Sequence, residues 1–457
     1  MKQQNIASRH TELARPKRLP RYTSYPTALE FGALDGQIYD KWLKSLPLCK
    51  PVSLYFHIPY CEKLCWFCGC FTTISNKYEP VRNFVDVLKQ EIIRTAQKTG
   101  PLKVSHIHFG GGSPSILEAA DFESLIETLR EHFNIDEVDE FAIEIDPRTV
   151  DREKIFAYAR AGVNRVSLGI QDFNLKTQQA VNRIQPVELI AKTMQHFKDA
   201  GITRINFDLI YGLPYQTLET IKSTIEQTMK FAPSRIALFG YAHVPHMKKH
   251  QKLVGDHLLP TQKERQEQFD LASKLLVANG YKSIGLDHFA RPDDHLFVSY
   301  DQRLLKRNFQ GYTEDKADTL IGFGPSAISS MPDGYAQNIP VIKTYMEKIS
   351  AGQSPVVRGL LVSKEDKMFR NVISTLMCYF EVDPFKIATT HKINYDFAKE
   401  LEMLNKLVAI GYMEKKQTLY RIKDQGKLYL RAIATVFDQY FDQSSDIIDR
   451  CIHESEG

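Results

Sequence analysis

The chain has 457 residues, 43% hydrophobic and 25% charged, with 59 basic side chains against 55 acidic ones. This length accommodates a large α/β unit and a smaller second one, and the ordinary mix excludes disordered and fibrous classes. Near-balanced charge gives no general attraction for nucleic acid, and no apolar run reaches the ~18 residues of a membrane span. The opening Met-Lys-Gln-Gln-Asn leads into polar, basic sequence without the apolar stretch of a secretory signal, so a cytoplasmic protein is expected. Seven cysteines are present, and four of them fall between Cys61 and Cys70. Such clustering in a long chain points to a metal site in a reducing compartment rather than a disulfide scaffold.

Residues 1–50 read as an N-terminal arm. From Arg9 to Arg21 it carries Arg9, Arg15, Lys17, Arg18 and Arg21 against the single acid Glu12. Pro20-Arg21-Tyr22-Thr23-Ser24-Tyr25-Pro26 is too aromatic for a plain tail. From residue 53 short β-rich runs alternate with amphipathic stretches. Strands are predicted at 53–58, 104–109, 141–145, 165–170, 204–209 and 235–240, dense in Val, Ile, Phe and Leu as strands covered on both faces should be. Helical stripes lie between them: Val81, Phe84, Val85, Leu88 and Ile92, then Phe122, Leu125, Ile126, Leu129 and Phe133.

A weak repeat supports the alternation. Ala161-Gly162-Val163-Asn164-Arg165-Val166 recurs as Ala200-Gly201-Ile202-Thr203-Arg204-Ile205, a helix stopping at Gly with a strand soon after. Six strand–helix units with short joints predict parallel strands in an incomplete barrel or an open sheet, with chemistry on the loops after the strand C-termini. Residues 242–350 carry Asp287-His288-Phe289-Ala290-Arg291-Pro292 and the turn Gly322-Phe323-Gly324-Pro325-Ser326 but little periodicity. Beyond Gly359 the pattern is mainly helical. Leu401, Leu404, Leu407 and Val408 lead to Gly411, a hairpin over 412–422 and a final helix. That order resembles a winged helix, read here as a packing module because the charge is balanced. The predicted division is an arm over 1–50, a barrel domain over 51–350 and a mainly helical domain over 351–457.

The central signal is Cys61-x3-Cys65-x2-Cys68-x-Cys70, directly after the first strand. Three thiolates at these spacings can each bind one iron of a 4Fe–4S cluster and leave the fourth open to the amino and carboxylate groups of a methionine moiety. The alternative is a closed Zn(Cys)4 site completed by Cys49 or Cys70, although no second paired motif follows downstream. Trp66 and Phe67, inside the loop, can cover a cluster or adenine, or simply anchor the loop. The three-cysteine motif, with Phe67 just before the third cysteine, resembles the signature of radical S-adenosylmethionine enzymes. Such enzymes form a 5′-deoxyadenosyl radical at a reduced cluster.

Later strand ends then acquire roles. Gly110-Gly111-Gly112-Ser113-Pro114 follows the second strand, and its N–H groups can bond a ligand edge. Glu144 and Asp146 close the third strand, where a carboxylate can accept ribose hydroxyls. Gln171 ends the fourth. Arg183 can clamp a carboxylate. Asp208 is an acid in an apolar strand, which is costly unless it faces a polar cavity.

Pro20-Arg21-Tyr22-Thr23-Ser24-Tyr25-Pro26-Thr27, Ser53-Leu54-Tyr55-Phe56-His57-Ile58-Pro59, Cys68-Gly69-Cys70, Tyr211-Gly212-Leu213-Pro214, Asp287-His288-Phe289-Ala290-Arg291-Pro292 and Phe309-Gln310-Gly311-Tyr312 together resemble the oxygen-independent coproporphyrinogen III oxidases. Specific motifs run from about Arg21 to about Ser329. Two departures are Ser113 for the family's Thr and Pro325 for its Val. The resemblance implies an α/β fold, a partial (β/α)6 TIM-like barrel with an N-terminal arm and a mainly helical C-terminal domain. It implies Cys61, Cys65 and Cys68 as cluster ligands and Cys70 as a non-ligand. It implies two S-adenosylmethionine molecules. Tyr55, Gly111, Glu144 and Ile328 resemble positions near the cluster-bound one, and Gly112, Ser113, Gln171, Arg183, Asp208 and Ala242 positions around the other.

The implied substrate is coproporphyrinogen III, two of whose propionates become vinyls, giving protoporphyrinogen IX. Arg21 and Arg291 are the candidates for propionate contacts. A reduced flavodoxin-type donor, an unidentified electron acceptor and a monomeric state go with this reading, with neither nucleic acid nor membrane as partner. The rivals are a haem-binding chaperone that resembles this family and a zinc-stabilised interaction module. Such chaperones lack a cysteine at Cys70's position and the Arg-Tyr-Thr-Ser-Tyr-Pro lead.

Overall fold

The computed structural model of the chain describes residues 19–443 and 446–456, so Arg9, Arg15, Lys17 and Arg18 lie outside the described residues. Six strands run parallel: β1 (Val52–Ile58), β2 (Val104–Gly111), β3 (Glu140–Ile145), β4 (Arg165–Gln171), β5 (Arg204–Tyr211) and β6 (Arg235–Gly240). All six were predicted, and the termini move by at most two residues. Helices α1 (Glu79–Thr99), α2 (Ala119–His132), α3 (Arg152–Ala161), α4 (Val187–Asp199) and α5 (Leu218–Phe231) make the crossovers, and α6 (Gln262–Ala278) follows β6. Gly162 ends α3 in the left-handed conformation, as its place in the repeat requires.

Alternation along each strand sorts the side chains into two faces. Leu54, Phe56, Ile107, Phe109, Ile143, Val166, Leu168 and Phe207 point outward and are buried beneath the helices. The stripes of α1 and α2 fill the same core, at roughly 1.5–3 kcal/mol for each fully buried large side chain. Phe133 joins that core as the extended C-cap of α2 rather than within the helix.

The inner face differs from expectation. It is polar, carrying Tyr55, His57, His106, His108, Glu140, Glu144, Ser167, Asn206 and Asp208. At the amino-terminal ends of the strands these side chains form a buried ionic plug. Glu140 accepts from Arg165 at 2.8 Å and from Arg204 at 2.9 Å. Glu314 accepts from Arg204 at 2.8 Å and from Arg235 at 3.0 Å, and Arg235 also pairs with Asp294. Burial alone would raise the Glu140 carboxyl, but Arg165, Arg235 and Arg204 hold it well below the usual range. The plug shuts one end of the barrel and leaves the carboxyl ends of the strands for chemistry.

A further parallel strand escapes the sequence pattern. Beyond β6 the chain adds β7 (Lys282–Ile284), β8 (His288–Ala290), β9 (Leu320–Phe323), β10 (Ile328–Met331), β11 (Gly334–Asn338) and β12 (Val356–Leu361). β9 pairs in parallel with β1, with Gly322 opposite Tyr55. β10, β11 and β12 continue antiparallel to the short edge Gly32–Ala33, while β8 and β7 extend the sheet antiparallel beyond β6. The two ends of the sheet do not pair, so the barrel is partial.

A second core contains Met368, Phe369, Val372, Leu376, Leu404, Leu407, Tyr420, Ile433 and Phe437. The hairpin Met413–Lys416 and Leu419–Ile422 is present, joined by Glu381–Val382 as a third strand. The helical unit was expected from residue 351, yet β12 hydrogen-bonds into the large sheet, and this second core starts only at Met368 on the C-terminal side. The N-terminal lead is likewise more than an arm. Tyr22 and Tyr25 are buried in the second core, and the helix Gly36–Lys44 places Trp42 and Leu43 in the main one. Tyr22 donates its hydroxyl to Asp438 Oδ2 at 2.8 Å, which ties residue 22 to the far end of the chain. Among the described residues no helix is long and apolar enough to cross a membrane.

Candidate functional site

The cysteine loop leaves the carboxyl end of β1. Tyr60–Cys61 pairs with Thr73–Ile74, so the loop closes on itself, with the Thr73 N–H donating to Pro59 O at 2.7 Å. Cys61, Cys65 and Cys68 are free thiols on this loop, and Cys65 is buried. Side-chain donors, two of them cationic, reach two of the sulfurs. Arg148 Nη2 and Arg183 Nη1 each donate to Cys65 Sγ at 3.3 Å, and Thr72 Oγ1 donates to Cys61 Sγ at 3.1 Å. Burial pushes the Cys61 thiol up to about 11, whereas donation from Cys70 pulls Cys68 down to about 6 and raises Cys70 itself.

The glycine motif sits beside this loop at the end of β2. Three of its N–H groups, expected to face a ligand, are spent within the protein. Gly111 N donates to Glu144 Oε2 at 3.2 Å, Gly112 N to Ile58 O at 2.8 Å and Ser113 N to Tyr60 O at 2.8 Å. The motif therefore docks the start of the cysteine loop against β2. A Cβ on Gly112 would meet Thr72 Oγ1 and Tyr60 O at 2.6 Å, and one on Gly111 would meet the His57 ring at 2.6 Å, so neither position has room for a side chain. Ser113 is buried and shares a 2.8 Å hydroxyl–hydroxyl bond with Ser115.

Tyr55, His57, His108 and Glu144 form one contiguous group across β1, β2 and β3. His57 Nε2 donates to Phe71 O at 2.9 Å, which leaves Nδ1 to accept from the Tyr55 hydroxyl at 3.2 Å. Burial lowers the His57 pKa, in keeping with a neutral ring. The Tyr55 ring stacks on His108 at 5.8 Å, and His108 Nε2 lies 3.2 Å from Glu144 Oε1. Burial opposes ionisation of Glu144, but His108 and the Gly111 N–H keep its carboxyl below the usual range.

A second group lies over β4 and β5. Arg183 sends Nη2 to Gly169 O at 2.7 Å, while its Nη1 stands 3.2 Å from Asp146 Oδ2. Burial would raise Asp146, yet Arg183 and Arg148 hold it at about 2. Gln171 ends β4 at φ +66° beside a register shift, close to Gly169 and Arg183. Burial pushes Asp208 up to about 6 against donation from Ser167 Oγ at 2.7 Å and Asn206 Nδ2 at 2.8 Å. Ala242 is exposed just past β6, its carbonyl accepting from Gln251 at 3.2 Å. Ile328 opens β10, its carbonyl close to Gly322, which pairs with Tyr55.

Sequence reasoning misses the residues that hold the cysteine loop. On one side Asn182 Nδ2 donates to Leu64 O at 2.8 Å and Trp66 N to Val181 O at 3.0 Å. On the other, Lys248 Nζ donates to Cys70 O at 2.9 Å, His250 Nε2 to Cys68 O at 2.8 Å and Gln251 Nε2 to Phe67 O at 2.9 Å. Arg148 could have been found as a base two residues after a strand-terminal acid. The segment 248–251 carries no periodicity that would single it out.

The two propionate candidates separate. Arg21 lies in a group with Arg307, Arg431 and Asp287, where burial and then Arg431 lower its pKa. Arg291 is remote from the cysteine loop. Its N–H donates to Ser234 O at 3.0 Å, before the start of β6, and its side chain pairs with Asp293 at 3.2 Å.

The donor set fits a cluster held by three thiolates. Cys49, the possible fourth zinc ligand, precedes β1 and so lies at the opposite edge, about 20 Å away for seven residues of strand. Among the described residues no three His, Cys, Asp or Glu side chains are grouped to hold one metal ion. A cluster taking one thiolate per iron asks instead for sulfurs spread along one loop, with cationic donors nearby to stabilise their charge.

Residues 55–228 match the radical SAM superfamily, which covers β1 to most of α5. The oxygen-independent coproporphyrinogen III oxidase of Bradyrhizobium diazoefficiens is 39% identical over 95% of this chain and 98% of its own length. The chain belongs to the oxygen-independent coproporphyrinogen III oxidase family. The Escherichia coli member is 37% identical over 93% of this chain and 94% of its own length. The solved Escherichia coli coproporphyrinogen III oxidase, described as a radical SAM enzyme, superposes with a TM-score of 0.88 over 92% of this chain and 98% of that one, at 36% identity. As a member of this family the chain has the partial barrel and the helical C-terminal elements in common with that oxidase.

Proposed function

We propose that this chain converts coproporphyrinogen III to protoporphyrinogen IX without oxygen, by oxidative decarboxylation of two propionates to vinyls. The observation that carries this reading is the cysteine loop clasped at the polar mouth of a barrel whose other end is sealed by ions. When bound, a reduced 4Fe–4S cluster supplies the electron that splits S-adenosylmethionine to methionine and a 5′-deoxyadenosyl radical, which takes hydrogen from the substrate.

Cys61, Cys65 and Cys68 would hold the cluster, and the Arg148 and Arg183 guanidiniums would stabilise the thiolate of Cys65. Tyr55, Gly111, Glu144 and Ile328 are assigned to the cluster-bound S-adenosylmethionine. Gly112, Ser113, Gln171, Arg183, Asp208 and Ala242 are assigned to a second molecule. Because the N–H groups of Gly111 and Gly112 are occupied, a ligand ammonium would be received by backbone carbonyls instead. Arg21, among Arg307 and Arg431 with Asp287 as its acid neighbour, suits a propionate, and Arg291 does not.

The sealed inner face would hold the oxygen-sensitive ring away from bulk water while the radical acts. A flavodoxin-type electron donor, an unidentified final acceptor, a cytoplasmic location and a monomer belong to the same reading. So does the division into arm, barrel domain and helical domain, with the last boundary moved to follow Leu361.

An anaerobic assay with S-adenosylmethionine, a reductant and coproporphyrinogen III tests the proposal. Stoichiometric protoporphyrinogen IX with 5′-deoxyadenosine is expected. 5′-Deoxyadenosine without decarboxylation would remove the oxidase assignment, and tight haem binding without turnover would favour a chaperone.

A further inference from the structure

The segment 246–254, which clasps the cysteine loop through Lys248, His250 and Gln251, has an outer face that the reaction as described does not use. Gln251 and Val254 turn inward and are buried, while His246, Met247, Lys249, Lys252 and Leu253 are exposed. Met247 is 70% exposed, Leu253 58% and Phe71, on the cysteine loop itself, 55%. Lys248 Nζ lies 4.9 Å from the centre of the Phe71 ring, so the two segments present one continuous surface.

Within these two segments the charge has one sign. No Asp or Glu occurs from His246 to Leu253, a stretch that contains Lys248, Lys249 and Lys252. None occurs between Lys63 and Tyr78 either, and Glu62 is the one acid of the cysteine motif. Asp256, the first acid beyond the segment, pairs with His243 at 2.9 Å. Exposed apolar residues ringed by like-charged lysines have the anatomy of a transient protein interface. The apolar centre supplies contact area, and the basic rim supplies orientation and encounter rate. The same segment bonds the carbonyls of Cys68 and Cys70, so whatever docks there stands one residue from a cluster ligand.

We propose that the face formed by Phe71, Met247, Lys249, Lys252 and Leu253 docks an acidic one-electron carrier protein that reduces the cluster. This rests on the radical reading of the site. The step is simple in its balance: one electron leaves the carrier, which is oxidised, and enters the cluster, which is reduced. No proton or other atom crosses.

The test uses the cluster-loaded full chain, reduced flavodoxin as the acidic carrier, and dithionite as a small reductant needing no docking. The variant K249E/K252E changes neither the clasp bonds nor a proposed ligand. Reduction by dithionite, followed by loss of cluster absorbance, should stay within about two-fold of wild type. Reduction by flavodoxin should slow on the order of ten-fold at low salt, since steering of this kind is worth 10–10³ in rate. The difference should shrink to about two-fold near 0.5 M salt, where the Debye length is only a few ångströms. Carbodiimide cross-links between flavodoxin carboxylates and this chain should fall on Lys249 and Lys252. Cross-links confined to other lysines, an unchanged flavodoxin rate, or an equal slowing with dithionite would each overturn the docking surface. A chain that takes up no iron would instead remove the radical reading, while the cross-links still report on the surface.

Discussion

Arg183 donates from Nη1 to the sulfur of Cys65 across 3.3 Å, and the same nitrogen stands 3.2 Å from Asp146 Oδ2. The Cys65 sulfur, a proposed cluster ligand, and a strand-end carboxylate thus share one buried cation. Arg183 also caps Gly169 O, so it joins the cysteine loop to β3 and β4.

Arg183→Met should therefore do two things. It leaves Asp146 to Arg148 alone and weakens the hold on Gly169 O, a loss of about 2 kcal/mol for a partly broken buried pair. Urea denaturation would read that loss. 5′-Deoxyadenosine formation should fall at least on the order of ten-fold, and Arg183→Lys, lacking the planar fork, should restore little of it.

The proposed ligand set divides the cysteines by role. Cys65→Ala should abolish the iron–sulfur absorbance near ~400 nm, because a thiolate per iron is what holds the cluster. Cys70→Ala should keep the absorbance and the iron content, since the proposed ligand set is Cys61, Cys65 and Cys68, and Cys70 only donates to Cys68. Iron and sulfide analysis of anaerobically purified protein checks both, and loss of the cluster in the Cys70 variant would contradict the assignment.

Gly112→Ala places a methyl group 2.6 Å from Tyr60 O and 2.9 Å from Ile58 O. Both atoms are backbone, so the cysteine loop must move, at a cost of about 1–3 kcal/mol and with reduced iron uptake. Gly201→Ala is the control. Nothing lies within 4 Å of its added carbon, and only the strain of φ +80° remains, about 1 kcal/mol with iron uptake unchanged. Thermal melts and iron analysis of the two variants separate a steric effect at the loop from general destabilisation.

Glu91 predicts a pH dependence of stability. It is fully enclosed and accepts from Gly324 N at 2.8 Å, Asn338 Nδ2 at 2.8 Å and the Tyr345 hydroxyl at 2.5 Å. Burial outweighs these donors and pushes its carboxyl up to about 7. The folded chain then binds this proton more tightly than the unfolded one. The resulting stability is present below the ordinary glutamate range and is lost as pH rises through about 7. Across that window the loss is roughly 3 kcal/mol, at 1.36 kcal/mol per pKa unit. Urea midpoints at several pH values between 5 and 8 should fall for the wild type, and Glu91→Gln should flatten that fall.

Much of this molecule is legible in its sequence, for reasons that can be named. The six parallel strands announce themselves because their outward residues, such as Phe56, Phe109 and Leu168, form apolar runs between amphipathic helices. Their inward residues were harder to read. His108, Glu144 and Asp208 interrupt those runs at a period of two, and they are the side chains of the polar inner face. β9 is only four residues long and is flanked by no helix of its own crossover, so nothing local marks it as parallel to β1. The clasp is invisible for a different reason. Lys248, His250 and Gln251 act on carbonyls 178 to 184 residues away in the chain, and a single sequence encodes no trace of that pairing. The motif that begins at Asp287 does not reveal how far its two charged ends lie apart, because strand direction carries Arg291 to the amino-terminal end of β6.

The tethering of the cysteine loop from both flanks bears on repair. Carbonyls of Leu64, Phe67, Cys68 and Cys70 are all held by side chains of the barrel, so the loop keeps its course through contacts that no iron atom makes. The entropy of shaping the socket is spent once, during folding, rather than at each insertion. A molecule whose inorganic part is destroyed by air can then be refitted in place, with the polypeptide itself reused.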